Sequence, residues 1–250
     1  MKIQLFLLAV FVAAIPHASA DTPLRIAVAS NFASQLKNAV SAYQAKHIDA
    51  GDISISVGST GKLFAQIKQG APFDLFFAAD QQRPARLHDL GFTIGPSRTY
   101  TTGRLVFWHP RHAGATELTK RLDETQRLAM ANPALAPYGL AAQQTLTHLN
   151  WEPKSNTVIA MAENVGQTYA MIVTGNADAG FVALSQVLEL QVPKDTFTTI
   201  SAGAHEPIKQ DVVLLNTGSQ AASAADFLTF FLNNDAQTQH PAVETGAIDR

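Results

Sequence analysis

The fold is decided by residues 24–36, which read Leu-Arg-Ile-Ala-Val-Ala-Ser-Asn-Phe-Ala-Ser-Gln-Leu. Leu24 to Ala29 is an apolar run of strand length, and Ser30 and Asn31 are residue types that cap helix N-termini. Apolar residues then recur at helical spacing, at positions Leu36, Ala39, Val40 and Tyr43. The stretch therefore predicts a β-strand that turns directly into an α-helix.

The same order of strand, turn and helix start recurs three more times along the chain. The three further turns are Ser59-Thr60-Gly61, Pro137-Tyr138-Gly139 and Asn164-Val165-Gly166. Strands that alternate with helices predict an α/β fold with mainly parallel sheets. Because ligands collect outside the carboxyl ends of parallel strands, we expect all four turns to face a binding site.

The β-α-β order occurs once before residue 92 and again after residue 127, with an irregular connection expected at residues 92–103. We therefore predict two lobes, each a mainly parallel sheet flanked by helices, with the ligand cleft between them. Lobe I is expected to comprise residues 21–101 plus 205–250, and lobe II residues 102–204. The strands around Leu105 and Val212 are expected to carry the chain between the lobes.

Residues 1–20 resemble a cleavable signal peptide, with Lys2, an apolar run from Ile3 to Ile15, and Ala18-Ser19-Ala20 before Asp21. The sequence contains no cysteine, so a lipid-modified cysteine at the cleavage site is excluded, as are cysteine-based metal and catalytic sites. We expect a protein that is exported to the periplasm and is free there.

The charge balance is nearly even, with 18 basic and 20 acidic residues and a net charge of −2. The sequence shows neither the excess of basic residues that is typical of nucleic-acid-binding proteins nor a polybasic patch for a membrane surface. Neither nucleic acid nor a membrane surface is therefore an expected partner.

The four turns offer neutral hydrogen-bond donors at helix N-termini, where unpaired N–H groups and the helix dipole favour an anion. Candidate donors are the hydroxyl groups of Ser30, Thr60 and Tyr138, the amide group of Asn31 and the backbone N–H of Val165. Lys62 is the single cation close to the turns. Ordinary helix capping explains any one turn, but four equivalent turns favour a pocket for a small oxyanion.

From Leu24 onward, most of the chain resembles the periplasmic molybdate-binding proteins of ABC importers. The resemblance rests on six segments, namely Ala27–Phe32, Gly58–Leu63, Gly70–Asp80, Ala136–Ala141, Glu163–Gln167 and Ala177–Ala183. It implies a two-lobed type II periplasmic binding fold that closes on one oxyanion, molybdate or tungstate, without a cofactor. It also implies a monomer that delivers the anion to a membrane permease.

The resemblance carries oxyanion contacts over to Ser30, Thr60, Tyr138 and Val165. One branch of the family also uses the residue after the first hydroxyl residue, and Asn31 matches that branch. Another branch has a tyrosine donor where this chain has Ala183, so that hydroxyl group is missing here.

Three other functions compete with this interpretation. The chain could bind another oxyanion such as sulfate or phosphate, act as a sensor subunit, or be an exported hydrolase or transferase with an oxyanion hole. No Ser-His-Asp arrangement supports the enzyme, and Leu63 replaces the Ser or Thr that a P-loop needs. His109 and His112 flank Pro110-Arg111 and are expected to lie in a solvated turn rather than in a metal site.

Overall fold

A computed structural model describes residues 22–112, 114 and 117–238, so the predicted signal peptide lies outside the described residues. The strands are β1 (Leu24–Ala29), β2 (Ile53–Gly58), β3 (Leu75–Phe77), β4 (Arg98–Gly103), β5 (Leu105–Trp108), β6 (Arg127–Ala131), β7 (Val158–Ala162), β8 (Ala179–Ala183), β9 (Phe197–Thr199) and β10 (Ile208–Leu214). The helices are α1 (Ala33–Lys46), α2 (Thr60–Lys68), α3 (Gln82–Asp89), α4 (Leu118–Glu124), α5 (Pro137–His148), α6 (Val165–Val173), α7 (Leu184–Glu189) and α8 (Ala221–Thr238).

The strands form two five-stranded sheets with matching topology. The order is β2-β1-β3-β10-β4 in the first sheet and β7-β6-β8-β5-β9 in the second. In each sheet the first three strands are parallel, whereas β10 and β5 run antiparallel to both neighbours. The predicted α/β fold with two helix-flanked sheets is confirmed, and the pairing makes each sheet mixed.

The chain passes between the sheets twice. Arg104 alone separates β4 from β5, and residues 200–207 connect β9 to β10. The expected irregular connection at residues 92–103 instead contains β4, an edge strand whose polar residues pair with β10. The predicted division after residue 101 falls within β4, which stays in the first sheet as far as Gly103.

Both faces of the first sheet are covered by helices. Along β1, Ile26 and Val28 belong to a core cluster with Phe227 of α8, whereas Ala27 between them belongs to a cluster with Leu63 of α2. This division follows from the alternation of side chains along a strand. Burial on both faces explains the uninterrupted apolar run of β3, whose three residues are 0% exposed.

Aromatic packing fixes the turn that follows β1. The Phe32 ring lies 4.7 Å from the Tyr100 ring and 6.2 Å from the Phe77 ring, measured between ring centroids. Phe32 directly follows Asn31, so this packing holds the Ser30-Asn31 turn against the sheet.

Within the described part of the chain, no helix is both long and apolar enough to cross a membrane.

The expectation of a solvated turn at residues 109–112 is wrong for its first residue. Arg111 and His112 are exposed, but His109 is only 5% exposed. His109 is the residue that follows β5, and its backbone N–H donates to the carbonyl oxygen of Thr196 at 2.9 Å. Burial, with the nearby His112 and Arg121, lowers the pKa of His109 from 6.5 to about 4.

We predict that His109 makes the protein less stable in mild acid. Its folded-state pKa is depressed to about 4, so between pH 6.5 and pH 4 the unfolded chain binds a proton that the folded chain does not. The stabilisation is complete above pH 6.5 and falls by up to about 3 kcal/mol as the pH drops through this window.

Urea unfolding of wild type and His109→Phe between pH 7.5 and pH 4.5 tests this prediction. The variant should lose less stability than wild type as the pH falls. His148→Gln, a change at an exposed helix end, is the control and should follow wild type. Parallel pH profiles for wild type and His109→Phe would contradict the prediction.

Candidate functional site

The predicted site residues lie at the carboxyl ends of four strands that form two adjacent pairs. Ser30 and Asn31 follow β1, and Thr60 follows the neighbouring β2 in the first sheet. Val165 follows β7, and Tyr138 lies in the first turn of α5, after the neighbouring β6 in the second sheet. Each sheet therefore presents two helix N-termini at one end.

The structure brings these turns into direct contact across the two sheets. The backbone N–H of Gly166 donates to Ser30 Oγ at 3.0 Å, and the N–H of Gly61 donates to the Leu135 carbonyl at 2.8 Å. Ser185 Oγ donates to the backbone carbonyl of Asn31 at 3.3 Å. The cleft between the sheets is closed in this arrangement.

The predicted donors are largely removed from water. Thr60 is 1% exposed, Tyr138 and Val165 are 3% exposed, and Asn31 is 5% exposed. Ser30 is partly buried. Buried polar groups of this kind are costly unless they have hydrogen-bond partners, so the partners of each group decide what the site can bind.

In all three hydroxyl groups of the predicted site, the oxygen accepts a hydrogen bond from an N–H group of the protein. Ser30 Oγ accepts the N–H of Gly166, and Thr60 Oγ1 accepts the N–H of Ala79 at 3.1 Å. The Tyr138 hydroxyl oxygen accepts from Gln210 Nε2 at 3.4 Å. Since a hydroxyl group has one proton to donate, each of these groups keeps that proton available for a ligand.

The Tyr138 hydroxyl group stays protonated at neutral pH. Burial raises its pKa well above the ordinary value, and the neighbouring Gln210 and Asn31 side chains offset only part of that effect. A neutral phenol can donate a hydrogen bond to an anion, whereas a phenolate would repel it. Tyr138 is therefore a donor in this site.

Comparison with known proteins places this chain in a known family. Residues 24–239 match the family described as bacterial extracellular solute-binding protein. The chain belongs to this family. The molybdate-binding protein ModA of Azotobacter vinelandii is 34% identical over 221 residues, covering 86% of each chain. ModA of Rhodobacter capsulatus is 33% identical over 84% of this chain and 82% of its own length.

A solved structure agrees with the sequence matches. The A. vinelandii periplasmic molybdate-binding protein aligns with a TM-score of 0.76 and 33% identity, over 83% of this chain and 92% of that chain. The resemblance found in the sequence is confirmed by these matches. The fold of this solute-binding protein is thus that of a two-sheet periplasmic binding protein.

The cations nearest the cleft of this solute-binding protein have acidic partners. Lys62 Nζ lies 3.0 Å from Glu163 Oε2, a contact that joins α2 to the turn before α6. Arg83 is paired with Asp80, and its Nη2 also donates to the Ala134 carbonyl at 2.9 Å. These contacts close the rim of the cleft, and the buried donors inside remain uncharged.

Other polar groups in the turns that begin α2 and α6 bond within the protein. The Ser59 side chain caps α2 by accepting the N–H of Lys62 at 3.3 Å, and the N–H of Gly61 is used by Leu135. Asn164 likewise caps α6, because its Oδ1 accepts the N–H of Gln167 at 3.0 Å. Val165 is the first residue of α6, so the helix offers no carbonyl partner for its N–H.

Sequence analysis missed Gln210. This β10 residue is 2% exposed, and its Oε1 accepts from Asn31 Nδ2 at 2.9 Å and lies 3.1 Å from the Tyr100 hydroxyl oxygen. One N–H of the Asn31 amide group is therefore used inside the protein. The available signal was a glutamine within the strand sequence Ile-Lys-Gln-Asp-Val-Val-Leu, which is otherwise apolar toward its end.

Gly103 lies against the same group of side chains, at the point where the chain leaves the first sheet. A Cβ atom at Gly103 would lie 2.7 Å from Gln210 Nε2 and closer still to the Tyr138 hydroxyl oxygen. Both side chains are buried, so neither can move aside into solvent. A glycine is thus required here by the close approach of Tyr138.

We predict that Gly103→Ala lowers the free energy of unfolding by about 1–3 kcal/mol, the usual cost of overpacking a buried site. Chemical denaturation followed by circular dichroism measures this loss. Gly51→Ala is the matched control, because nothing lies within 4 Å of a Cβ atom at that position. Equal stability of the two variants would show that the Tyr138 side chain relaxes freely.

Proposed function

We propose that this protein captures molybdate, and also tungstate, in the cleft between its lobes and delivers the anion to the membrane permease of an ABC importer. The observation that carries the proposal is shared by the hydroxyl groups of Ser30, Thr60 and Tyr138, each of which accepts an N–H and keeps its proton to donate. The names of the A. vinelandii and R. capsulatus relatives support molybdate as the anion.

The proposed contacts are the hydroxyl groups of Ser30, Thr60 and Tyr138, an N–H group of Asn31 and the backbone N–H of Val165. A hydrogen bond to a charged partner is worth roughly 1.5–3 kcal/mol, and a micromolar dissociation constant corresponds to about 8 kcal/mol. Five such bonds therefore suffice for tight binding even after the cost of removing water from the anion.

Hydrogen-bond polarity and size together favour molybdate over the competing oxyanions. Phosphate carries a proton at neutral pH and needs an acceptor, and each of the three hydroxyl oxygens already accepts one N–H, which makes it a poorer acceptor for that proton. Sulfate has no proton but is smaller than molybdate. Tungstate matches molybdate in both respects, so the same donors serve both anions.

Closure of the cleft fits a capture role. We propose that lobe I, which contains the first sheet, and lobe II, which contains the second sheet, move as rigid bodies about the two crossings near Arg104 and residues 200–207. The contacts that would break on opening include those of Gly166 with Ser30 and of Gly61 with Leu135. We further propose that the protein is a monomeric binding protein without catalytic activity, exported to the periplasm by a signal peptide at residues 1–20.

We expect molybdate and tungstate to raise the melting temperature of the protein, since a ligand at 100 times its dissociation constant stabilises by about 2.7 kcal/mol. Differential scanning fluorimetry with equal concentrations of molybdate, tungstate, sulfate and phosphate measures this. The last two anions should have little effect. A larger shift with sulfate or phosphate would assign the site to that anion instead.

We also predict that Thr60→Ala weakens molybdate binding roughly 10- to 100-fold, since it removes one hydrogen bond to the dianion. Thr60→Ser keeps the hydroxyl group and should retain most of the affinity. Thr147→Ala, which removes an exposed hydroxyl that bonds only to its own helix, is the control. Isothermal titration calorimetry that gave Thr60→Ala the affinity of wild type would remove Thr60 from the site.

A further inference from the structure

We propose that Gln210 is a positioning residue that fixes the donor polarity of Tyr138, and that it thereby makes the site discriminate against protonated oxyanions. This inference rests on the proposed function, because it concerns the same oxyanion site. Gln210 lies on β10 of the first sheet, whereas Tyr138 lies on α5 beside the second sheet. The residue therefore links the two halves of the cleft.

The orientation of the Gln210 carboxamide is set by its other partners. Its Oε1 accepts from Asn31 Nδ2 at 2.9 Å. The Tyr100 hydroxyl oxygen lies 3.1 Å from Oε1 and 3.2 Å from the Ala78 carbonyl oxygen, so its one proton is shared between these two acceptors. A carboxamide has one acceptor end and one donor end. With Asn31 Nδ2 donating to Oε1, the end that lies 3.4 Å from the Tyr138 hydroxyl oxygen is the Nε2 donor.

The donor end of Gln210 decides what Tyr138 can do. When the phenol oxygen accepts an N–H from Gln210, its own proton points to another acceptor, and the cleft supplies the anion as that acceptor. Without this N–H, the same oxygen could accept a hydrogen bond from a protonated ligand. Gln210 therefore converts a hydroxyl group that could act in either sense into a donor.

An irregularity in β10 determines the direction of the Gln210 side chain. The register of β10 against β4 shifts between Gln210 and Asp211, and such a bulge redirects a side chain. Three donors hold Asp211 on the other side of this irregularity, namely Ser97 Oγ at 2.6 Å, Thr99 Oγ1 at 2.7 Å and Gln81 Nε2 at 3.2 Å. The bulge is thus anchored, and the Gln210 side chain is held in a buried position.

Chromate and hydrogen arsenate at pH 8 provide the test, since these tetrahedral dianions are similar in size and differ by one proton. Isothermal titration calorimetry should compare wild type with Gln210→Met, which keeps the shape of the side chain but removes its N–H and carbonyl groups. Wild type should prefer chromate. In Gln210→Met the ratio of chromate affinity to arsenate affinity should fall at least about tenfold, which is the value of one charged hydrogen bond. The same variant should also bind molybdate more weakly.

A double-mutant cycle with Tyr138→Phe separates positioning from a merely structural role. If Gln210 acts through the Tyr138 hydroxyl group, then Gln210→Met should leave the chromate-to-arsenate affinity ratio unchanged in the Tyr138→Phe background. An equal loss of chromate and arsenate affinity in Gln210→Met would overturn the inference. The same fall of the affinity ratio in both backgrounds would also overturn it.

A second variant guards against misfolding of Gln210→Met. In Gln210→Glu the carboxylate can only accept, so it should draw the Tyr138 proton away from the cleft and weaken molybdate binding more than Gln210→Met does. Gln44→Glu places the same charge on an exposed position of α1 and should bind as wild type. If Gln210→Glu is folded by circular dichroism and binds molybdate as wild type does, the inference fails. Absence of molybdate binding by wild type would instead refute the proposed function, and the inference with it.

Discussion

The binding site depends on one hydrogen-bond constraint. The uncharged donors that lie between the two sheets must keep their protons available for a ligand. A hydroxyl group has one proton and two lone pairs, so its role depends on what else bonds to it. At Ser30, Thr60 and Tyr138 the protein supplies an N–H to the oxygen of each hydroxyl group. These N–H groups come from the backbone of Gly166 and Ala79 and from the side chain of Gln210, so each oxygen uses one lone pair within the protein and keeps its proton to donate.

The two-sheet architecture is what makes such a site possible. Parallel strands bring helix N-termini to one end of each sheet, and each sheet contributes two of them. Because the described part of the chain crosses between the sheets at Arg104 and at residues 200–207, the two ends can face each other across a cleft. The paired charges of Lys62 and Glu163 lie at the rim of the cleft, so charge at the cleft is balanced while the buried interior stays neutral.

Much of the fold and part of the site could be predicted from the sequence, because both depend on patterns of residues that are close together in the chain. The apolar run from Leu24 to Ala29 and the Ser30-Asn31 turn predict a strand and a helix start, and the structure has both. The strand at residues 98–103 was missed because it is a polar edge strand that lacks an apolar alternation. His109 was misjudged because Pro110 and Arg111 beside it are typical of a solvated turn.

The sequence by itself determined the class of fold, the division into two α/β units and the four polar turns, since each depends on residues close together in the chain. Only the tertiary structure decided which way each hydroxyl group is polarised. Gly166 is 136 residues from Ser30 and Gln210 is 72 residues from Tyr138, so no local pattern records these contacts. They arise because the carboxyl ends of the two sheets meet at the cleft, and the direction of a hydrogen bond depends on the partner that this contact supplies.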